Sequence, residues 1–103
     1  MINLLKETVD VLAARGYTLN DITIVCNDGI ISKETFIKLA DREYDDGYGC
    51  EEVRTDLMLI GSDFWFERAE YDGSEWWTYH KKPTIDDLKP ISEVELFYDS
   101  TWK

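Results

Sequence analysis

Residues 64–82 read FWFERAEYDGSEWWTYHKK, and this stretch decides the fold. Two aromatic-rich, partly alternating runs, 64–71 and 75–82, flank Asp72-Gly73-Ser74. An Asp-Gly pair between such runs is the strongest short-range mark of a tight β-hairpin. The sequence therefore predicts two long antiparallel strands joined by a two-residue turn.

Alternation along the two strands predicts which side chains of the hairpin share a face. One predicted face carries Trp65, Ala69, Tyr71, Trp76 and His80. The other carries Phe64, Phe66, Arg68, Trp77 and Tyr79. We expect the second face to point into the core, with Arg68 over the Trp77 ring as a cation–π pair.

The remaining elements follow from apolar periodicity and local stop signals. Apolar side chains at helical spacing predict helices over residues 2–15 and from the Ser32 N-cap to about Gly47. A capping box is predicted between Thr18 and Asp21. Further strands are predicted at 22–26, 56–60 and, as a half-solvated edge, 91–98. The fold class is therefore α+β, in the order α-β-α-β-β-β-β, with two helices packed on one face of a mainly antiparallel sheet of four to five strands.

Composition limits the function classes. A chain of 103 residues with 44% hydrophobic content fits one domain, 1–103, that folds alone. Its net charge of -11 opposes direct contact with nucleic acid or an anionic membrane and favours the basic surface of another protein. Acidity that serves only solubility is the alternative. The sequence has no predicted signal peptide or transmembrane run, so we expect a cytoplasmic protein.

The densest acidic stretch, residues 41–52, reads DREYDDGYGCEE. Its carboxylates are predicted to contact a partner: Asp41, Glu43, Asp45, Asp46, Glu51 and Glu52. The spacing also approaches that of an EF-hand calcium loop, but the sixth position holds Asp46 where glycine is required, and a strand follows where a helix is required. A calcium-responsive module therefore stays an alternative to a partner surface.

Catalytic chemistry has no recognisable motif in this sequence. His80 is the only histidine, and no nucleophile elbow accompanies it. A zinc site would require Cys26, Cys50 and His80 to converge from separate segments without a ligand pair at metal spacing. We therefore predict a non-enzymatic protein with no catalytic residue, metal or cofactor.

Trp65, Tyr71 and Trp76 are the predicted aromatic anchors of a partner site, because the helices can cover only one face of the hairpin. Two alternatives remain open at this stage. The aromatic face would also suit sugar stacking, in a small carbohydrate-binding or hydrolase domain. It would also suit packing under the C-terminal segment that contains Trp102.

The segments 40–49 and 63–77 resemble a group of small uncharacterised proteins carried by phages and prophages of Gram-positive bacteria. The resemblance covers about residues 18–82 and implies no catalytic residues, because that group has no established activity. It implies a phage-encoded inhibitor of host machinery, of the anti-CRISPR or DNA-mimic kind. The implied partner is the basic surface of a host nuclease or CRISPR effector, in the host cytoplasm.

Overall fold

The computed structural model describes residues 1–45 and 52–97 and confirms an α+β fold. The described elements, in chain order, are β1 (Ile2–Asn3), α1 (Leu4–Ala13), a 3₁₀ turn (Leu19–Asp21), β2 (Thr23–Cys26), β3 (Gly29–Ile31), α2 (Lys33–Ala40), β4 (Glu43–Tyr44), β5 (Met58–Ile60), β6 (Phe64–Tyr71) and β7 (Ser74–Lys81). No helix in the described ranges is long and apolar enough to cross a membrane.

The main sheet has five strands in the order β3-β2-β5-β6-β7, and every neighbouring pair is antiparallel. Strands β1 and β4 pair separately as a short ribbon. Helices α1 and α2 contribute Leu12, Phe36 and Ala40 to the buried core, where the sheet contributes Ile24, Leu59, Phe64, Phe66 and Trp77. Both helices therefore cover one face of the sheet.

The predicted hairpin is confirmed in position, register and facing. Tyr71 is paired with Ser74 across the turn, and both turn residues have positive φ, 52° at Asp72 and 87° at Gly73. Positive φ at both central positions is the geometry of a type I′ turn, which Asp-Gly favours. The Arg68 guanidinium lies 4.9 Å from the centroid of the buried Trp77 ring, so the predicted cation–π pair is also present.

The predicted helix boundaries are partly wrong. Helix α1 starts after Asn3, whose side chain accepts the Lys6 backbone N–H at 2.9 Å, instead of at Ile2. Helix α2 ends at Ala40 instead of near Gly47. The apolar pattern placed Tyr44 on the helix, but Tyr44 is buried in strand β4 and pairs with Ile2. Burial of this one aromatic ring through a long-range pairing overrides local helical periodicity.

Two strand predictions also require correction. Strand β3 was not predicted, because its three residues depend on the register with β2 and carry little pattern of their own. The predicted edge strand at 91–98 is wrong over 91–97, which form no strand and are exposed, while Tyr98 lies outside the described residues. Alternating side chains indicate a strand only where a sheet edge is paired with it.

Residues 52–57 are joined to the β2–β3 turn through Arg54, which contacts Asp28 at 3.2 Å, and through Asp56, which contacts Asn27. Arg54 donates to both carboxylate oxygens of Asp56, at 2.8 and 2.7 Å, and Asp56 also accepts the Asn27 backbone N–H at 2.8 Å. The Arg54 hydrogen bonds and the Asn27 N–H lower the pKa of Asp56 to about 2. The ionised carboxylate is therefore favoured by the folded state.

We expect the Asp56→Asn variant to lose stability less steeply than the wild type as pH falls. A carboxyl whose pKa is lowered on folding stabilises the protein above its unfolded value of 3.8, and that contribution is lost as pH falls toward about 2. Urea unfolding at steps between pH 5 and 2 measures the slope. Asp87→Asn, in the exposed C-terminal segment, is the matched control and should retain the wild-type slope. Equal slopes for Asp56→Asn and wild type would contradict the assignment.

Candidate partner-binding site

The face of the main sheet opposite the helices forms the candidate site, here named the open sheet face. Its side chains come from alternate positions of all five strands: Thr23, Val25, Ile30, Met58, Ile60, Trp65, Glu67, Ala69, Tyr71, Trp76, Thr78 and His80. Both helices pack on the other face, and residues 82–97 are themselves exposed. Within the described parts of the chain, this face is left to solvent.

Strand register arranges the apolar side chains of the open sheet face in cross-strand rows. One row runs from Ile30 through Val25 to Met58. The next places Ile60 beside Trp65. Sequence reasoning identified the hairpin residues but missed these aliphatic neighbours. Alternation in the predicted strands 22–26 and 56–60 indicates which of their side chains share a face. Only the register between the strands shows that these side chains lie beside the hairpin residues.

Trp65 is held in place on this face by two neighbours. Its indole stacks on the His80 imidazole, with ring centroids 5.2 Å apart and planes inclined by 10°. Its Nε1–H donates to Glu67 Oε1 at 2.9 Å, and the other Glu67 oxygen lies 3.7 Å from His80 Nε2. A side chain fixed in this way loses little conformational freedom when a partner binds.

Tyr71 and Trp76 lie on the same face nearer the hairpin turn. They are 77% and 41% exposed, which is unusual for large aromatic side chains. Trp76 pairs with Ala69, four residues along β6 from Trp65, so the two tryptophans are about 13 Å apart along the strand. The structure therefore brings all three predicted aromatic residues to one uncovered face.

The predicted acidic residues that the structure describes lie on the helix side. Glu43 is in the β1–β4 ribbon, and Asp41 accepts a hydrogen bond from Asn3 Nδ2 at 3.0 Å. The Asp45 backbone N–H donates to Glu52 Oε2 at 2.9 Å, so these two residues are in contact. Asp46 and Glu51 lie outside the described residues.

The described acidic residues of this stretch and the aromatic residues do not lie on one face of the sheet. The backbone N–H groups of Glu52 and Val53 donate to the buried Glu75 carboxylate, at 2.8 and 3.1 Å, on the helix side of β7. Trp76, the next residue after Glu75, points to the open side, since successive strand residues point to opposite faces. A partner on the open sheet face would meet Glu67 and Asp72 first, and Glu52 only around the edge of the hairpin.

A buried ionic cluster beneath the hairpin was not predicted. Arg68 donates to Glu75 at 3.2 Å and to the Tyr44 hydroxyl at 3.1 Å, and its other terminal nitrogen lies 3.5 Å from Glu7. The Arg68 and Glu75 side chains are 3% and 2% exposed. Alternation in the predicted hairpin places both Arg68 and Glu75 on the core-facing side. This shared side is the sequence feature that could have indicated their ion pair.

Tyr44 completes the cluster by donating its hydroxyl to Glu7 Oε1 at 2.6 Å. Burial and this hydrogen bond raise the pKa of Tyr44 to about 12. Both carboxylates contact the arginine, and Glu75 also accepts two backbone N–H groups. This arrangement joins α1, β4 and the hairpin, and its occluded carboxylates are poorly placed to exchange protons with a substrate.

Within residues 1–45 and 52–97, no group of three or more His, Cys, Asp or Glu side chains is arranged so that it could hold a metal ion. Positions 6 to 11 of the EF-hand-like stretch lie outside this part of the chain. Comparison with protein-family models, curated protein sequences and solved structures gave no match. The open sheet face and the charge of the chain are therefore the features that indicate its function.

Proposed function

We propose that this chain is a non-enzymatic protein-binding module whose open sheet face docks on a basic surface of another protein. One observation carries the proposal: on the face that its helices leave free, a five-stranded sheet presents the exposed Tyr71 and Trp76 beside the half-buried Trp65 and a row of aliphatic side chains. Contiguous apolar surface of this kind marks interaction sites, and aromatic side chains dominate their binding energy.

Charge defines the chemistry of the proposed partner. The net charge of -11 attracts a basic surface over distances of about a Debye length, and Glu67 and Asp72 place carboxylates beside the aromatic anchors. The acidic residues Asp41, Glu43, Asp45 and Glu52 extend the negative surface around the helix side. Charge complementarity of this kind accelerates association, whereas the buried rings slow dissociation.

The specific form of the proposal is a phage-encoded inhibitor of a host nucleic-acid-binding protein, of the anti-CRISPR or DNA-mimic kind, acting in the host cytoplasm. Proteins that hold DNA or RNA present the basic surfaces that an acidic chain fits. The resemblance of residues 18–82 to small phage and prophage proteins supports this form. A nuclease or a CRISPR effector is the partner class that we would test first.

Carbohydrate binding is a weaker candidate for the same face. Sugar rings stack on open aromatic faces, whereas the His80 imidazole already covers one face of Trp65. A protein partner can bind the edge of that stacked pair together with the aliphatic row beside it. The geometry therefore favours a protein over a glycan.

The experiment that tests this function measures association rates with a partner captured from host extract and then purified. We expect the association rate to fall by about tenfold or more between 50 and 500 mM salt, because salt screens long-range attraction. Replacing Glu67 and Asp72 by Gln and Asn should lower the rate at low salt and flatten its salt dependence. Asp86→Asn/Asp87→Asn, in the exposed tail, is the charge-matched control. Rates independent of salt would contradict the proposal.

A further inference from the structure

Strand β7 forms an open edge of the main sheet. It is the last strand in the order, and its eight residues pair only with β6 among the strands that the structure describes. Edge strands are normally protected from further pairing by charges, prolines, bulges or short length. The middle of β7, Trp76-Trp77-Thr78-Tyr79, has no charge and no proline. This edge is therefore competent to accept another strand.

The C-terminal segment carries the pattern of a strand without a partner in the structure. In residues 91–97, Val94 and Leu96 alternate with Glu93, Glu95 and Phe97. The exposed fractions of Val94, Leu96 and Phe97 are 62%, 82% and 87%. Exposure of apolar side chains to water to this extent is unfavourable, and pairing with a sheet edge would shield them.

The segment is not paired with its own sheet, since every residue from 82 to 97 is exposed and none lies in a strand. The Cα radius of gyration is 17.8 Å, whereas about 13 Å is typical of a compact chain of this length. The Lys82 backbone N–H donates to Asp63 O at 2.7 Å, and Pro83 follows directly. Pro83 and Pro90 stiffen the connection, which favours an outgoing path over an immediate return to β7.

We propose that residues 91–97 add as a sixth strand to β7 of a second copy of this chain, in a reciprocal two-fold exchange. In such an exchange each copy pairs with the open β7 edge of the other. No β7 edge is then left unpaired, so the assembly stops at a dimer. Strand addition gains main-chain hydrogen bonds along the edge and places alternate side chains on the two faces of the sheet. The inference is independent of the proposed partner, because the open sheet face stays uncovered.

Charge complementarity supports residues 91–97 of a second copy as the strand that pairs with β7. An antiparallel register that pairs Glu93 with Lys81 also pairs Val94 with His80, Glu95 with Tyr79 and Leu96 with Thr78. Val94 and Leu96 then extend the open sheet face. Glu95 falls on the helix side beside Tyr79, whose ring carries the Arg15 guanidinium at 3.9 Å. Both tail carboxylates therefore meet a basic group of the second copy.

Sedimentation equilibrium between about 1 and 200 μM tests the proposal, and we expect a monomer–dimer equilibrium. Glu95→Pro removes a ladder hydrogen bond, because Glu95 lies opposite Tyr79, whose backbone N–H and C=O point away from β6. It should raise the dimer dissociation constant by about tenfold or more. Ile85→Pro, outside the proposed strand, is the matched control. Glu95→Arg should weaken the dimer, and adding Arg15→Glu to that variant should restore it. Circular dichroism checks that each variant retains the fold.

Two results would overturn the proposal. If the wild-type chain is monomeric over the whole concentration range, the strand exchange does not occur. A dimer that withstands both Glu95→Pro and Glu95→Arg is formed by another surface, with the open sheet face as the first alternative. Partner affinity and its dependence on Trp76 are measured separately, so failure of the dimer leaves the proposed function testable.

Discussion

Arg68→Met is expected to lower the free energy of unfolding by about 3–5 kcal/mol, the loss typical when one member of a buried ion pair is removed. The methionine retains the apolar stem over Trp77, so packing is largely preserved. The charge is lost, and the carboxylates of Glu7 and Glu75 are left without their cation in a site that water hardly enters. The penalty comes mainly from these unpaired buried carboxylates.

Urea unfolding followed by tryptophan fluorescence measures the effect. Arg54→Met is the matched control, because Arg54 also contacts two carboxylates, Asp28 and Asp56, but lies at the surface. We expect a much smaller change there, since solvent screens exposed pairs. Adding Glu75→Gln to Arg68→Met should recover part of the lost stability, because it removes one unpaired charge. Equal effects at Arg68 and Arg54 would show that the buried cluster is not a stabilising feature.

Truncating a tryptophan of the open sheet face is expected to cost about 2–4 kcal/mol of partner binding, a loss of about 30-fold to 1000-fold in affinity. Trp65 is the stronger anchor of the two, because His80 and Glu67 already fix its rotamer. Trp76 is the cleaner test, because its 41% exposed side chain contributes less to the folded protein. Both variants should unfold cooperatively, which separates a binding defect from a folding defect.

Local patterns determined the hairpin and its faces, and those predictions needed no distant information. Asp72-Gly73 specifies the turn, and alternation from that turn specifies which rings are buried. The capping box of Thr18 and Asp21 is confirmed for the same reason, since both partners lie within one turn. Where the deciding contacts are a few residues apart, the sequence alone is sufficient.

Long-range pairing determined what the sequence could not predict. Tyr44 leaves the helical pattern because it pairs with Ile2 and contacts Glu7 in α1. The acidic stretch and the aromatic residues were both predicted to contact a partner, yet Glu75 holds the backbone of Glu52 on the opposite side of β7 from Trp76. Residues 91–97 show the converse case, because they carry a strand pattern but pair with no described strand of their own chain.

The measurement that tests the central claim most directly is the affinity of purified partner for wild type, Trp76→Ala and Ile37→Ala, compared by isothermal titration calorimetry. Ile37 lies on α2, on the helix side, and is exposed to the same extent as Trp76, 40% against 41%. If the open sheet face is the binding surface, Trp76→Ala weakens binding by about 30-fold or more while Ile37→Ala binds as the wild type does. Unchanged affinity for Trp76→Ala, or an equal loss in both variants, would contradict the account.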